Sequence, residues 1–389
     1  MSPAATWQAD LDRLQTRSLI VGLIGLAACA AGAFFNLDQF FRSYLIAFLF
    51  WGGLSMGCIS ALMMYHAAGG NWGFVSRRLL ESATRMMPFV LVMLIPILFG
   101  LHSLYSWTLP AVVAKNEVIQ RKSLYLNLPF FFARLVVYFI VWFTLTYFLN
   151  RWSAEQDRTA DPTLKSRMKT ISCPGLVIHG FMVTFLVIDL VMSLQVEWFS
   201  TIFGMIFLVG QMLSALSMVV LMLLLLGRYE PLASRLQSKH FHDIGNLMLA
   251  FVILFAYLSY SQFLLIWSAN LPTENPWYIR RLFNGWGLVA WIVLLFHFAI
   301  PFVLLLLRFI KKRGELLALV AAGMIIVRNI ELYWTVEPAF HPNAVYFHWL
   351  DIAAPIGVGG IWLALFAWQL KARPLLPLHD DRIPIEDQY

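Results

Sequence analysis

Charge is scarce in this 389-residue sequence: Asp, Glu, Lys and Arg make up 13% of it, against 60% hydrophobic residues. A chain so poor in charge leaves little room for a soluble domain, and such a composition belongs to integral membrane proteins. Cysteine is scarcer still. Cys29, Cys58 and Cys173 are solitary and far apart, so neither a disulfide framework nor a cysteine-ligated zinc or iron–sulfur site is expected. No glycine-rich phosphate loop follows a strand pattern. The net charge of +7 is read as Lys and Arg flanking membrane spans, with a lipid bilayer as partner and no nucleic acid.

What the sequence does have is apolar length. After a polar lead over residues 1–17, a first apolar run extends from Ser18 to Leu37. Leu26-Ala27-Ala28-Cys29 imitates a lipoprotein cleavage box, but the run continues past Cys29 to full spanning length, so a permanent first helix is expected. A window of about 19 residues finds further runs near 43–66, 84–105, 125–149, 174–194, 200–226, 246–267, 285–307, 316–336 and 349–370. Turn signals or charge clusters separate them, among them the polar segment Arg151 to Cys173 and Lys311-Lys312-Arg313-Gly314. The expected fold is an all-α polytopic membrane protein of ten transmembrane helices. It divides into a cytoplasmic lead (1–17), a first helix (18–42), two four-helix bundles (43–199 and 200–340), a last helix (341–372) and a cytoplasmic tail (373–389). Basic residues concentrate in the loops holding Arg77, Arg78, Arg151 and Lys311, which places both termini in the cytoplasm. The second set of four helices reads as a parallel repeat of the first, unlike the inverted repeats of many transporters.

Ionisable groups inside such runs need a partner or hydration, because an isolated one costs several kcal/mol at that depth. The segment His179 to Gly204 carries Asp189 near the outer end of a span, and Arg134, at comparable depth on the preceding span, is its candidate partner. Arg328 and Glu331 are three residues apart and share a helix face. His297 lies mid-span, and His348 with Asp351 opens the last helix on the outer side. On the inner side stand His66, Glu81, Arg85 and His179, with Asp243 near the start of the seventh span. Two readings stand side by side for these groups: static ion pairs that fix helix register, or proton half-channels, an inner one near His66, His179 and Asp243 and an outer one near Arg134, Asp189, Arg328 and Glu331, with His297 between. Gly210, Gln211, Ser214, Ser217, Gly357 and Gly360 read as close-packing seams. Asp189, Glu331 and His348 could each take a proton from a quinol, Asp189 and His348 being the candidate quinone-binding residues. His66 with His179 is the one inner-side histidine pair that could ligate a haem, although His66 beside its Gly-Gly turn is more simply an interfacial residue.

Asp189-Leu-Val-Met-Ser-Leu followed by Glu197-Trp-Phe-Ser-Thr-Ile-Phe-Gly204 resembles the D-W-x-M-S-L-E-P-x-W-(F/Y)-S-T-x-(F/Y)-G signature of the NrfD-like membrane subunits of alternative complex III. Tyr65 to Gly73 with Arg77-Arg78, and His242 to Asn246 running on to Trp277-Tyr278, agree with it and point to the smaller of that complex's two such subunits. The resemblance implies two four-helix bundles with flanking helices in a bacterial inner membrane, and a place in a quinol:cytochrome c oxidoreductase. The implied partners are a sister NrfD-like subunit, iron–sulfur and multihaem cytochrome c subunits that carry the haem and clusters, and a terminal oxidase. Three positions depart from the signature: its Trp is Leu190, and its Glu-Pro is Gln195-Val196, with Glu197 displaced, so no role should hang on a carboxylate at 195. The expected function is a membrane subunit without a redox cofactor of its own, structural and proton-conducting. A quinone-binding subunit of the same complex and a stand-alone transporter are the alternatives.

Overall fold

The computed structural model describes residues 7–379. The principal helices are α1 (Trp7–Phe35), α2 (Leu37–Ala68), α3 (Asn71–Thr84), α4 (Met87–Phe99), α5 (Leu128–Thr159), α6 (Thr163–Leu190), α7 (Phe203–Leu226), α8 (Ser238–Ala269), α9 (Asn275–Leu282), α10 (Trp286–Leu306), α11 (Gly314–Val336) and α12 (Leu350–Lys371). No strand occurs among the described residues. Nine of these helices are long and apolar enough to cross a membrane, and α3 with α4, bent by 42° at their junction, pass the same test together, so that the described residues hold nine spans, or ten if the bent pair is one. The protein is therefore an all-α, multi-pass membrane protein.

Local chemistry sets the ends of the helices. The Asn36 and Asn127 side chains accept from the backbone N–H of Gln39 and Phe130, three residues on, capping α2 and α5. Gly69, at φ 76°, ends α2 in a conformation that a side chain would strain. The break between α3 and α4 lies just ahead of Pro88, which has no N–H for the helix ladder.

α2 and α7 form the centre. They meet each other, and each meets the next helices of its own set, α2 touching α3, α4 and α6, and α7 touching α8 and α11. Their backbones approach closely: a Cβ on Gly57 would lie 2.1 Å from the Gln211 carbonyl oxygen. α1 packs chiefly on α12 through a second glycine seam, Gly22 on Gly360 and Gly25 on Gly357. Asp12 bonds Lys371, and Asp10 bonds Arg228 and Tyr229. These contacts gather the start of α1, the end of α12 and the α7–α8 connection on one side, here the terminal side; the opposite side is the far side.

Four expectations need correction. The lead is helical from Trp7, residues 1–6 lying outside the described residues. Arg77 and Arg78 are not loop residues: they sit on α3, 2% and 1% exposed. The segment Arg151 to Cys173 is not a loop, because its Glu, Gln, Arg and Lys residues favour helix and only Ala160-Asp161-Pro162 interrupts it. Finally, residues 373–379 are not a tail apart from the helices but are docked on them, with Leu375 and Leu376 buried; residues 380–389 lie outside the described residues. Cys29 is buried within α1, which runs on to Phe35.

Candidate functional site

Near the far side of the first helix set, α5 and α6 bring Arg134 and Asp189 together. Arg134 Nε and Nη2 donate to the two carboxylate oxygens at 3.1 and 2.8 Å, and the Tyr138 hydroxyl, one turn along α5, donates to Oδ2 at 2.8 Å. Arg134 Nη1 spends its hydrogen on the Tyr125 carbonyl at 2.8 Å, and the guanidinium lies 3.8 Å from the Tyr125 ring centre. Asp189 is fully buried. A forked pair with both oxygens engaged is the geometry that offsets the desolvation of two charges.

In the second set, α10 and α11 hold a different arrangement. Arg328 Nη1 donates to Glu331 Oε2 along one face of α11, and His297 Nδ1 stands 3.6 Å from the same oxygen. Gly210 on α7 makes room for the arginine, since a Cβ there would lie 2.3 Å from Arg328 Nη1. His297 sits in a π-helical turn, Leu294–Ala299, just ahead of Pro301. Pro301 has no N–H to offer the His297 carbonyl, and its ring would crowd a regular turn, so the helix widens there. All three side chains are buried, yet Arg328 Nη2 and His297 Nδ1 have no hydrogen-bond partner among the described residues. Two nitrogens of this network are left over, whereas in the first both carboxylate oxygens of Asp189 are engaged.

The inner-side candidates fall on three separate helices. His179, buried on α6, accepts from Trp142 Nε1 at 3.0 Å, while its Nε2 is buried without a hydrogen bond to any described residue. Asp243 on α8 lies 3.8 Å from His242 and is partly exposed. His66 is half-buried near the end of α2. The dense charge on this side lies elsewhere. Glu81 receives Arg77 Nε at 2.8 Å, Arg78 Nη1 at 2.7 Å and Arg373 at 3.3 Å, and Arg78 also forks onto Asp157 at 2.5 Å. Ser153 and Gln156 on α5 complete the cluster by accepting from Arg77. The i, i+4 and i, i+3 spacing of Arg77, Arg78 and Glu81 signals such a cluster once the segment is read as helix.

At the far-side entrance to α12, Asp351 accepts from the His348 backbone N–H at 2.8 Å, Ser43 Oγ at 2.5 Å and Gln39 Nε2 at 3.1 Å. His348 thus belongs to a helix-capping arrangement remote from Asp189. Close by, Glu337, which sequence reasoning missed, is fully buried, with His341 Nδ1 at 3.1 Å. Burial pulls the His341 imidazole below its ordinary pKa, and nearby Arg42 adds to that effect.

Arg281 on α9 was also missed, its helix falling between the apolar runs 246–267 and 285–307. It is 2% exposed and bonds only neutral oxygens: Gln195 Oε1 at 3.1 Å and the carbonyls of Trp277 at 3.0 Å and Thr335 at 2.5 Å. Burial depresses its pKa well below the usual arginine value, and neighbouring Arg280 deepens the effect.

A cavity of about 460 Å³ opens beside the Arg134–Asp189 pair, walled by Tyr125, Ile188, Met192, Ser193 and Trp198, with Arg121 and Lys122 at its edge. Neither Asp189 nor His348 lines it. Among the described residues no group of three His, Cys, Asp or Glu is placed to hold a metal ion. No family model matches the chain, and no curated protein matches it.

Proposed function

We propose that this chain is an integral subunit of a bacterial inner-membrane quinol:cytochrome c, or other periplasmic electron carrier, oxidoreductase of the alternative complex III type. In this reading the terminal side faces the cytoplasm, and the chain scaffolds a sister NrfD-like subunit and its iron–sulfur and multihaem partners. It also passes protons through its second helix set. The observation that carries the proton role is the Arg328–Glu331–His297 network: an acid and a base face each other at membrane depth with hydrogen-bonding capacity left over, which a transient water or proton would use. The Asp189 motif and its flanking stretches support the family reading.

Two measurements test it. A tagged chain purified from its native membrane carries multihaem and iron–sulfur proteins with it; their absence rejects membership in the complex. In the intact complex, Glu331→Gln lowers proton release per electron while the complex stays assembled. Unchanged proton release rejects the conducting role.

A quinone-binding role is the second reading, favoured by the cavity beside Asp189. Its apolar walls suit a lipid-soluble ring, and Tyr125 stands between it and the ion pair. There Tyr125 and Ser193 would face a two-electron, two-proton carrier. A photo-reactive quinone that labels this wall supports that reading, and labelling confined to the sister chain removes it.

A further inference from the structure

The flanking pair α1–α12 and the second helix set are not in full contact. α12 rests on α2, but α11 barely touches α1 or α12, and a groove of about 400 Å³ fills the gap. Its floor is Trp51 of α2, and its sides include Val21, Ile325, Pro355 and Ile356. The floor is braced: Trp51 Nε1 donates to the Pro355 carbonyl at 2.8 Å, and a Cβ on Gly359 would lie 2.1 Å from the Trp51 ring. The gap therefore cannot close by a small shift of α12. Val21 and Ile356 are each about half exposed, at 48% and 46%, so the groove opens sideways on the bilayer.

Its terminal-side mouth carries Arg17, exposed and one residue before the apolar run begins. Arg17 has no acidic partner among the described residues, and the nearby acids are engaged: Asp10 with Arg228 and Tyr229, Asp12 with Lys371. A lone cation at headgroup height above an apolar slot is complementary to one class of molecule in the bath. We propose that an anionic phospholipid of the terminal-side leaflet occupies this groove. Its phosphate meets Arg17, and one acyl chain lies over Trp51 between Ile325 and Ile356. An apolar gap of this size otherwise forfeits the dispersion contacts of its whole lining. The lipid is a wedge that fixes the flanking pair against the second helix set.

Native mass spectrometry of the purified protein, exchanged into equal phosphatidylglycerol and phosphatidylcholine, tests this. The wild type retains phosphatidylglycerol in preference. Arg17→Gln lowers that retention about five-fold, equivalent to about 1 kcal/mol for one basic residue at a membrane surface. Arg308→Gln, which removes an exposed cation of the same side outside the groove, leaves it unchanged. Ile356→Trp, or Val21→Trp from the opposite wall, fills the slot from the lipid side and releases both lipids. Equal losses for Arg308→Gln and Arg17→Gln mean diffuse surface attraction and overturn the site. Retention that neither tryptophan reduces overturns it as well.

Discussion

His297 Nδ1 lies 3.6 Å from Glu331 Oε2, so an acid and a base face each other just beyond hydrogen-bonding range inside the second helix set. In the first set, both oxygens of Asp189 are taken by Arg134 and Tyr138. The acid of one set is fully engaged, and the acid of the other stands near a nitrogen that is not. Their responses to mutation should differ accordingly.

Asp189→Asn leaves the Arg134 charge buried without a counter-ion. Breaking such a pair from one side costs about 3–5 kcal/mol. The double variant Arg134→Met with Asp189→Leu removes both charges and should regain most of that loss. Thermal unfolding in detergent checks both; a double variant less stable than Asp189→Asn contradicts the pairing.

His297→Phe should behave oppositely. It removes a buried nitrogen that lacks a partner, a group whose desolvation costs about 1–3 kcal/mol, and its ring can pack on Phe255, now 4.3 Å from the imidazole. Stability should hold or rise; under the proposed proton role, proton release by the proposed complex falls. A loss of stability with proton release intact would show that His297 is structural.

Gln195→Glu should stabilise the protein. It offers Arg281, which now bonds neutral oxygens alone, a carboxylate at the position where Gln195 Oε1 sits 3.1 Å away. A charged hydrogen bond contributes about 1.5–3 kcal/mol, so the unfolding midpoint should rise by a few degrees. The gain should vanish in an Arg281→Gln background.

Deleting residues 373–389 should loosen the terminal side of the first helix set. Arg373 bridges Glu81 and the Asn150 carbonyl, the Leu378 N–H reaches Asp157 at 3.2 Å, and Leu375 and Leu376 are buried. Full burial of each leucine is worth about 1.5–3 kcal/mol. Limited proteolysis should cut the α5–α6 connection near Ala160 faster in the truncated chain. An unchanged cleavage rate would show that the docked tail adds nothing to local stability.

The spans were legible because apolar length is a one-dimensional signal, and Arg134 with Asp189 because bilayer depth can be counted along two adjacent runs. Arg77 and Arg78 were not. Adjacent arginines after a Gly-Gly turn read as a membrane-flanking loop, and only the fold brings Ser153, Gln156, Asp157 and Arg373 around them. Glu337 and Arg281 were hidden for the same reason, each lying past a helix end where composition suggests solvent. The π turn at His297 had its cause in view, Pro301, but that proline predicts a disturbance rather than its form.

The Gly57–Gln211 contact sets how near the two halves can lie. Two main chains touch there with no side chain between them, and a Cβ at that point would already collide at 2.1 Å. Even alanine at 57 would have to push α2 and α7 apart, so a single hydrogen in place of a methyl group holds the spacing on which every contact between the two helix sets depends.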